Sequence, residues 1–332
     1  MRDGKQGMRM IGTGFGAGRR SLLLGALALP ALARPARAWT PSGPVRVIVP
    51  FAPGGTNDEV MRVLAECAGR RLGRPIEVHN KPGRPGVRMI AGLASATPDG
   101  LVIAQLPAAA IRIALLDHLP LDFPGDLTPI LGVAGSAFGS IAKKDRFPEG
   151  WRGFIAEARE KPGVLSYGSA GVNSNGHLTM ARLLLRERVQ VVHVPFRGAA
   201  LGVRAVVAGD VDVMAGPVSI GSAVTDGDAV WLNVWSAERM PRWPEAPTLR
   251  ELGYRLTVTA PFGIVGPAAL PAEITASLHD AFRAAMQDQA FHDVLSRNDM
   301  TEDYRDGPSY GAFLAQSARV EEMLIGRLGL QP

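Results

Sequence analysis

The chain has 332 residues, 46% of them hydrophobic, which is enough for two domains of ordinary size with substantial cores. Its formal charge of +5 is concentrated in residues 1–38, where Arg2, Lys5, Arg9, Arg19, Arg20, Arg34 and Arg37 meet one acid, Asp3; of the 36 basic and 31 acidic residues, 29 and 30 remain beyond that stretch, a net of −1. A near-neutral body excludes the electrostatic footprint of a nucleic-acid binder, and a lone cysteine, Cys67, excludes an internal disulfide framework.

At the N-terminus, Arg19-Arg20 precede an apolar stretch over 21–29, and Ala36-Arg37-Ala38 puts small residues where a signal peptidase reads them. The segment reads as a cleavable signal peptide, with cleavage expected after Ala38. The paired arginines resemble a twin-arginine signal, with a Sec signal as the alternative. No later run reaches the ~18–20 apolar residues that span a bilayer, so a soluble exported protein is expected.

A β-branched run over 45–49 predicts a strand, followed by the loop Pro50-Phe51-Ala52-Pro53-Gly54-Gly55 and an amphipathic helix over 58–72. Cys67 falls on the apolar face of that helix and reads as core. A strand over 76–78, a loop over 80–86, a helix over 87–96 and a buried strand over 101–104 come next. The pattern then restarts: strand 140–142, helix 150–160, strand 165–168, polar loop 169–176, helix 177–188, strand 190–194, loop 195–198, helix 199–208 and strand 211–215. A strand over 262–265 precedes helices over 271–286, 288–296 and 308–328. Strands alternating with helices predict an α/β protein with a parallel, doubly wound sheet.

Two junctions share one logic, Ala52 to Asp58 and Ser169 to His177. Each places glycine and small residues between a strand and a helix start. Such a start offers free N–H groups and a partial positive charge to an anion without needing Lys or Arg. Ligands of open α/β sheets bind at the carboxyl ends of strands, so two junctions, one per unit, predict a cleft between domains. The glycine run over 12–18 follows no strand and lies in the leader, so it is not a nucleotide loop. The six histidines show no ligand spacing, so no metal and no cofactor is expected. Asp210 and Asp212 read as solvated loop or edge residues.

The stretches VIVPFAPGGTND, NKPG, LPLDFPGDLTPI, KPGVLSYGSAGVNSNGHL, VHVPFRG and AGDVDVM run in order through nearly the whole chain beyond residue 38. Together they resemble the Bug family, the extracytoplasmic solute receptors of tripartite tricarboxylate transporters. The resemblance implies a periplasmic Venus-flytrap protein of two α/β domains, 39–139 with 259–332 and 140–258. It implies a small carboxylate ligand, a membrane permease as partner, no catalysis and a monomer. The ligand-holding residues it implies are Ala52, Pro53, Gly54, Gly55, Thr56 and Asp58 in the first loop. The second loop adds Ser169, Ala170, Gly171, Asn173, Ser174 and His177, and the next Pro195, Phe196, Arg197 and Gly198. Capping and bracing are the competing roles for Asp58 and His177.

The chain departs from the family at several points. Arg84-Pro85 replaces small residues in a glycine loop, Gln105-Leu106-Pro107-Ala108-Ala109-Ala110 stands where small polar residues are usual, and Met214-Ala215-Gly216-Pro217 replaces a more polar run. The departures predict a first-domain wall more apolar than in dicarboxylate binders, and a ligand less polar than citrate. The rival reading is an exported hydrolase or transferase using Ser169 or Ser174 with His177.

Overall fold

The computed structural model describes residues 39–82, 87–119 and 121–328. The expected leader, its cleavage site and the Gly83-Arg84-Pro85-Gly86 loop lie outside the described residues. The first strand, β1 (Val45–Val49), is central and pairs in parallel with β2 (Ile76–Asn80) and β3 (Val102–Pro107). Helix α1 (Thr56–Leu72) links β1 to β2, and α2 (Val87–Ala94) leads to β3. The run after β3, expected only as an apolar wall, folds as α3 (Ala109–Leu116).

The chain then enters β4 (Leu127–Lys143), a strand of 17 residues of which only 140–142 was expected. Beyond it come α4 (Trp151–Glu160), β5 (Ser166–Ser169), α5 (Asn175–Glu187), β6 (Val192–Pro195), α6 (Ala199–Ala208) and β7 (Val213–Pro217). A short helix α7 (Ser222–Thr225) and β8 (Ala229–Val234) follow, then β9 (Thr259–Pro267), α8 (Ala272–Ala285), α9 (Gln289–Arg297), β10 (Met300–Asp306) and α10 (Gly307–Leu328).

The strands run in the order β2-β1-β3-β9-β4-β7-β5-β6, with β10 and β8 also on β4. The expectation of a parallel sheet therefore needs correction. The sets β2-β1-β3 and β7-β5-β6 are parallel, but β9, β10, β7 and β8 all run antiparallel to β4, and β3 is antiparallel to β9. The alternation rule sees only strands joined by crossover helices. Strand β9 comes from far along the chain to stand between β3 and β4, antiparallel to both, and the Gly, Ser, Ala and Pro content of β4 hides it as a loop.

Residues 127–137 of β4 pair with β9, whereas 138–143 pair with β7 and β8. One strand thus serves two half-sheets, and each half-sheet carries a core on both faces. In the first half, Val47, Leu64, Ile103, Ile264 and Phe282 pack under α1, α8 and α9, and Ile90, Leu106, Ile111 and Leu314 pack on the other face. In the second half, Phe154, Leu183 and Trp235 lie on one face and Val206, Met214 and Trp231 on the other. Cys67 is part of the first core, as expected.

Candidate functional site

The first junction begins where β1 ends. Ala52, Pro53, Gly54 and Gly55 are exposed and Thr56 is half-buried. Gly54 has φ +77°, a left-handed conformation that glycine adopts without a Cβ penalty. Its N–H donates to Asp58 Oδ2 at 2.8 Å. Asp58 is 1% exposed and also accepts from Arg62 Nε at 2.9 Å and Asn80 Nδ2 at 2.7 Å. Asn80 Nδ2 in turn donates to Phe51 O. Burial raises the Asp58 pKa, but the hydrogen bonds from Arg62, Asn80 and the Gly54 N–H outweigh it and hold the group below the ordinary carboxylate range. Asp58 therefore spends its charge bracing the loop from behind. The helix it opens has Gly55 as N-cap, and no side chain among the described residues caps it.

The second junction is built differently. Ser169 is fully buried; its Oγ donates to Gly171 O at 2.9 Å and lies 2.8 Å from His193 Nε2. Ser174 caps α5, its Oγ accepting from His177 N. His177 Nδ1 accepts from Asn173 N at 3.0 Å, which fixes Asn173 at φ +62°. Gly176 lets α5 start against β7, because a Cβ there would stand 2.4 Å from Ala215 O. Ala170 and Gly171 are half-buried beside these groups.

Beneath the loop the rings of His177 and His193 stack at 4.0 Å, and Tyr167 stacks on His193 at 4.9 Å. Burial lowers the His177 pKa; burial and then the neighbouring His177 push His193 down to about 4. Both rings are neutral at pH 7, as the acceptor role of His177 Nδ1 requires. The serine–histidine rival meets a contrary geometry here. Neither Oγ bonds the His177 ring, and Ser169, the serine that does meet a histidine, is sealed from solvent.

The third loop joins this region through Phe196 N, which donates to Ser169 O at 2.9 Å. The Phe196 ring turns inward against Gly168, Gly202 and Met214. Pro195 and Arg197 are exposed, and Gly198 opens α6 at φ +108°. Asp212, expected as a solvated residue, instead accepts from Ser166 N at 2.9 Å and pairs with Arg146 at 3.0 Å. It ties the start of β5 to that of β7, a role the alternation of charges does not reveal.

A contact between the half-sheets escapes the sequence pattern. Arg112 of α3 is 8% exposed and donates to Asn173 O at 3.0 Å and Asn175 Oδ1 at 2.8 Å, across from its own half-sheet. Its other nitrogens form a two-pronged pair with Glu321 of α10, at 2.7 and 2.6 Å. The signal was a single cation inside the apolar run over 109–116, which burial tolerates only with a partner. A cavity of ≈ 410 Å³ lies beside it, lined by Arg112, Leu178, Arg182, Phe313 and Glu321 among others. Among the described residues no cluster of His, Cys, Asp and Glu could hold a metal.

Residues 48–330 match the family described as "Tripartite tricarboxylate transporter family receptor". A UPF0065 protein encoded in the gbd 5′ region of Cupriavidus necator is 34% identical over 307 residues, covering 92% of this chain and 93% of its own. A TctC solute-binding protein from Polaromonas superposes with a TM-score of 0.76 at 25% identity, covering 86% of this chain and 99% of that one. MatC from Rhodopseudomonas palustris, solved with bound malate, superposes at 0.70, again with 25% identity and coverage of 86% and 99%. The shared architecture is the two-domain periplasmic-binding-protein fold, each domain a sheet flanked by helices.

Proposed function

The chain belongs to the tripartite tricarboxylate transporter receptor family, and we propose on that premise that it holds one small carboxylate-bearing molecule between its two domains and presents it to a membrane permease. The domains are 39–139 with 259–332, and 140–258, the chain crossing twice between them. Export by a signal peptide cleaved after Ala38 puts the protein in the periplasm, where it works as a monomer and releases its ligand chemically unchanged.

The observation that carries this reading is the start of α1. Exposed glycine leads into a helix without a side-chain cap, so the first-turn N–H groups and the helix dipole face the loop for an acceptor to use. A helix terminus contributes only about 0.3–2 kcal/mol to an anion, whereas micromolar binding needs about 8 kcal/mol. Enclosure by the second junction has to supply the rest. In this reading Ala52, Pro53, Gly54, Gly55 and Thr56 approach the ligand from one side. Ala170, Gly171, Asn173, Pro195, Arg197 and Gly198 close from the other. Asp58, Ser169, Ser174, His177 and Phe196 shape those loops from within.

The malate in MatC supports a carboxylate as the anchoring group. Ala108 and Ala109, half-buried at the end of β3, make the remaining wall apolar, so the rest of the ligand is less polar than citrate. Isothermal titration against a carboxylate panel tests this: aliphatic or aromatic monocarboxylates bind more tightly than citrate, and the reverse order refutes it. Mass spectrometry of the recovered ligand checks that it is released unaltered.

A further inference from the structure

Gln105 is an amide in the middle of a core strand. It lies on β3 between Ala104 and Leu106, which face the α2–α3–α10 core, and is itself fully buried on the Ile103 face, toward α1. Its Nε2 donates to Asn57 Oδ1 at 2.9 Å, in the first turn of α1, while its own Oε1 meets no donor among the described residues. A buried amide left half-satisfied costs desolvation free energy that a Met or Leu of similar volume would avoid. Core packing therefore does not account for Gln105; its bond to Asn57 does.

We infer that Asn57 is a ligand-contacting, specificity-determining residue whose amide is turned toward the cleft by Gln105. Gln105 occupies the Asn57 carbonyl, and in a planar amide the –NH2 group then points away from β3. It joins the backbone N–H groups at the uncapped start of α1. Arg62 of α1 is already committed to Asp58 and Asn80. The part of the site so formed presents donors, the Asn57 –NH2 and the first-turn N–H groups of α1. An acceptor-only carboxylate end fits it, whereas a carboxylate flanked by an α-ammonium group brings donors against donors. Asn57 is the contact and Gln105 the positioning residue.

The inference rests on the carboxylate reading above, and one titration separates the two. The 15N-labelled protein is titrated with sodium propionate and, separately, with alanine, following the Asn57 side-chain 15N–1H2 pair and the backbone amides of 56–58. Propionate shifts both sets in the unaltered protein and alanine does not. In Gln105→Met the Asn57 pair stops responding and propionate affinity falls about tenfold, the worth of one hydrogen bond to a charged group, while the melting temperature does not drop. Asn57→Ala gives a similar loss of affinity and, unlike Gln105→Met, lowers the melting temperature, because it strands the buried Gln105 Nε2. If Gln105→Met and Asn57→Ala bind propionate as the unaltered protein does, or if alanine and propionate act alike, the inference falls and the carboxylate reading stands. If no carboxylate perturbs residues 56–58, both fall.

Discussion

The β1–α1 and β5–α5 junctions look alike as sequences and are opposites as structures. The first leaves its helix start open: Gly55 offers no cap, and the buried carboxylate Asp58 is turned inward as a brace. The second consumes its own valences. Ser174 caps α5, His177 takes the Asn173 N–H, and Arg112 reaches across to hold Asn173 O and Asn175 Oδ1. Free donors thus lie on one side of the cleft and a preset shape on the other. A clamp with one adhesive jaw and one rigid jaw orders fewer groups on binding than one with two loose jaws, and loses less conformational entropy.

The contrast breaks most severely at Asp58. Asp58→Ala removes the acceptor of the Gly54 N–H and of Arg62 Nε and one of the two acceptors of the Asn80 amide; stability falls by about 2–4 kcal/mol, the range for dismantling a buried hydrogen-bonded charge, and ligand binding is lost. Chemical denaturation together with calorimetric titration measures both.

Next in size is Arg112→Met, which keeps the volume and removes the bridge. Glu321 and Asn175 lose their partner, and affinity falls about tenfold through a smaller closed population; small-angle scattering without ligand shows a larger radius of gyration than in the unaltered protein.

The rigid jaw also carries a pH signature. With the folded His193 pKa depressed from 6.5 to about 4, the unfolded chain binds a proton that the folded one refuses. Stability from this ring is complete above pH ~6.5 and declines as pH falls toward 4. A thermal-melt series over that window falls with acidity, and His193→Gln flattens it. The smallest effect is Ser174→Ala: about 1 kcal/mol of cap energy is lost, seen as a melting temperature lower by roughly 2–4 °C. Binding changes little if the second jaw contributes shape alone; a large loss of affinity would show that Ser174 touches the ligand.

Local signals carried much of this organisation. Helical spacing located α1, α4, α6 and α8 to within two residues, because each has one apolar stripe and a glycine or proline at its edge. The glycine loops marked both junctions. What stayed hidden depends on distant partners. Strand β4 is rich in small residues and becomes a strand only because β9, β10, β7 and β8 line up on it. The inward turn of Asp58 depends on Asn80, the seal on Ser169 depends on His193, and Arg112 reads as a stray charge until α10 brings Glu321 to it. None of these pairings leaves a periodic trace in the chain.

The single strand β4 has a consequence for how the molecule comes apart. Unzipping residues 138–143 from β7 and β8 bares the end of the same strand that supports β9 and β10. Neither half-sheet melts without leaving unpaired backbone in the other. A protein with two lobes and several cores therefore denatures as one cooperative unit, with a calorimetric enthalpy matching the van't Hoff value.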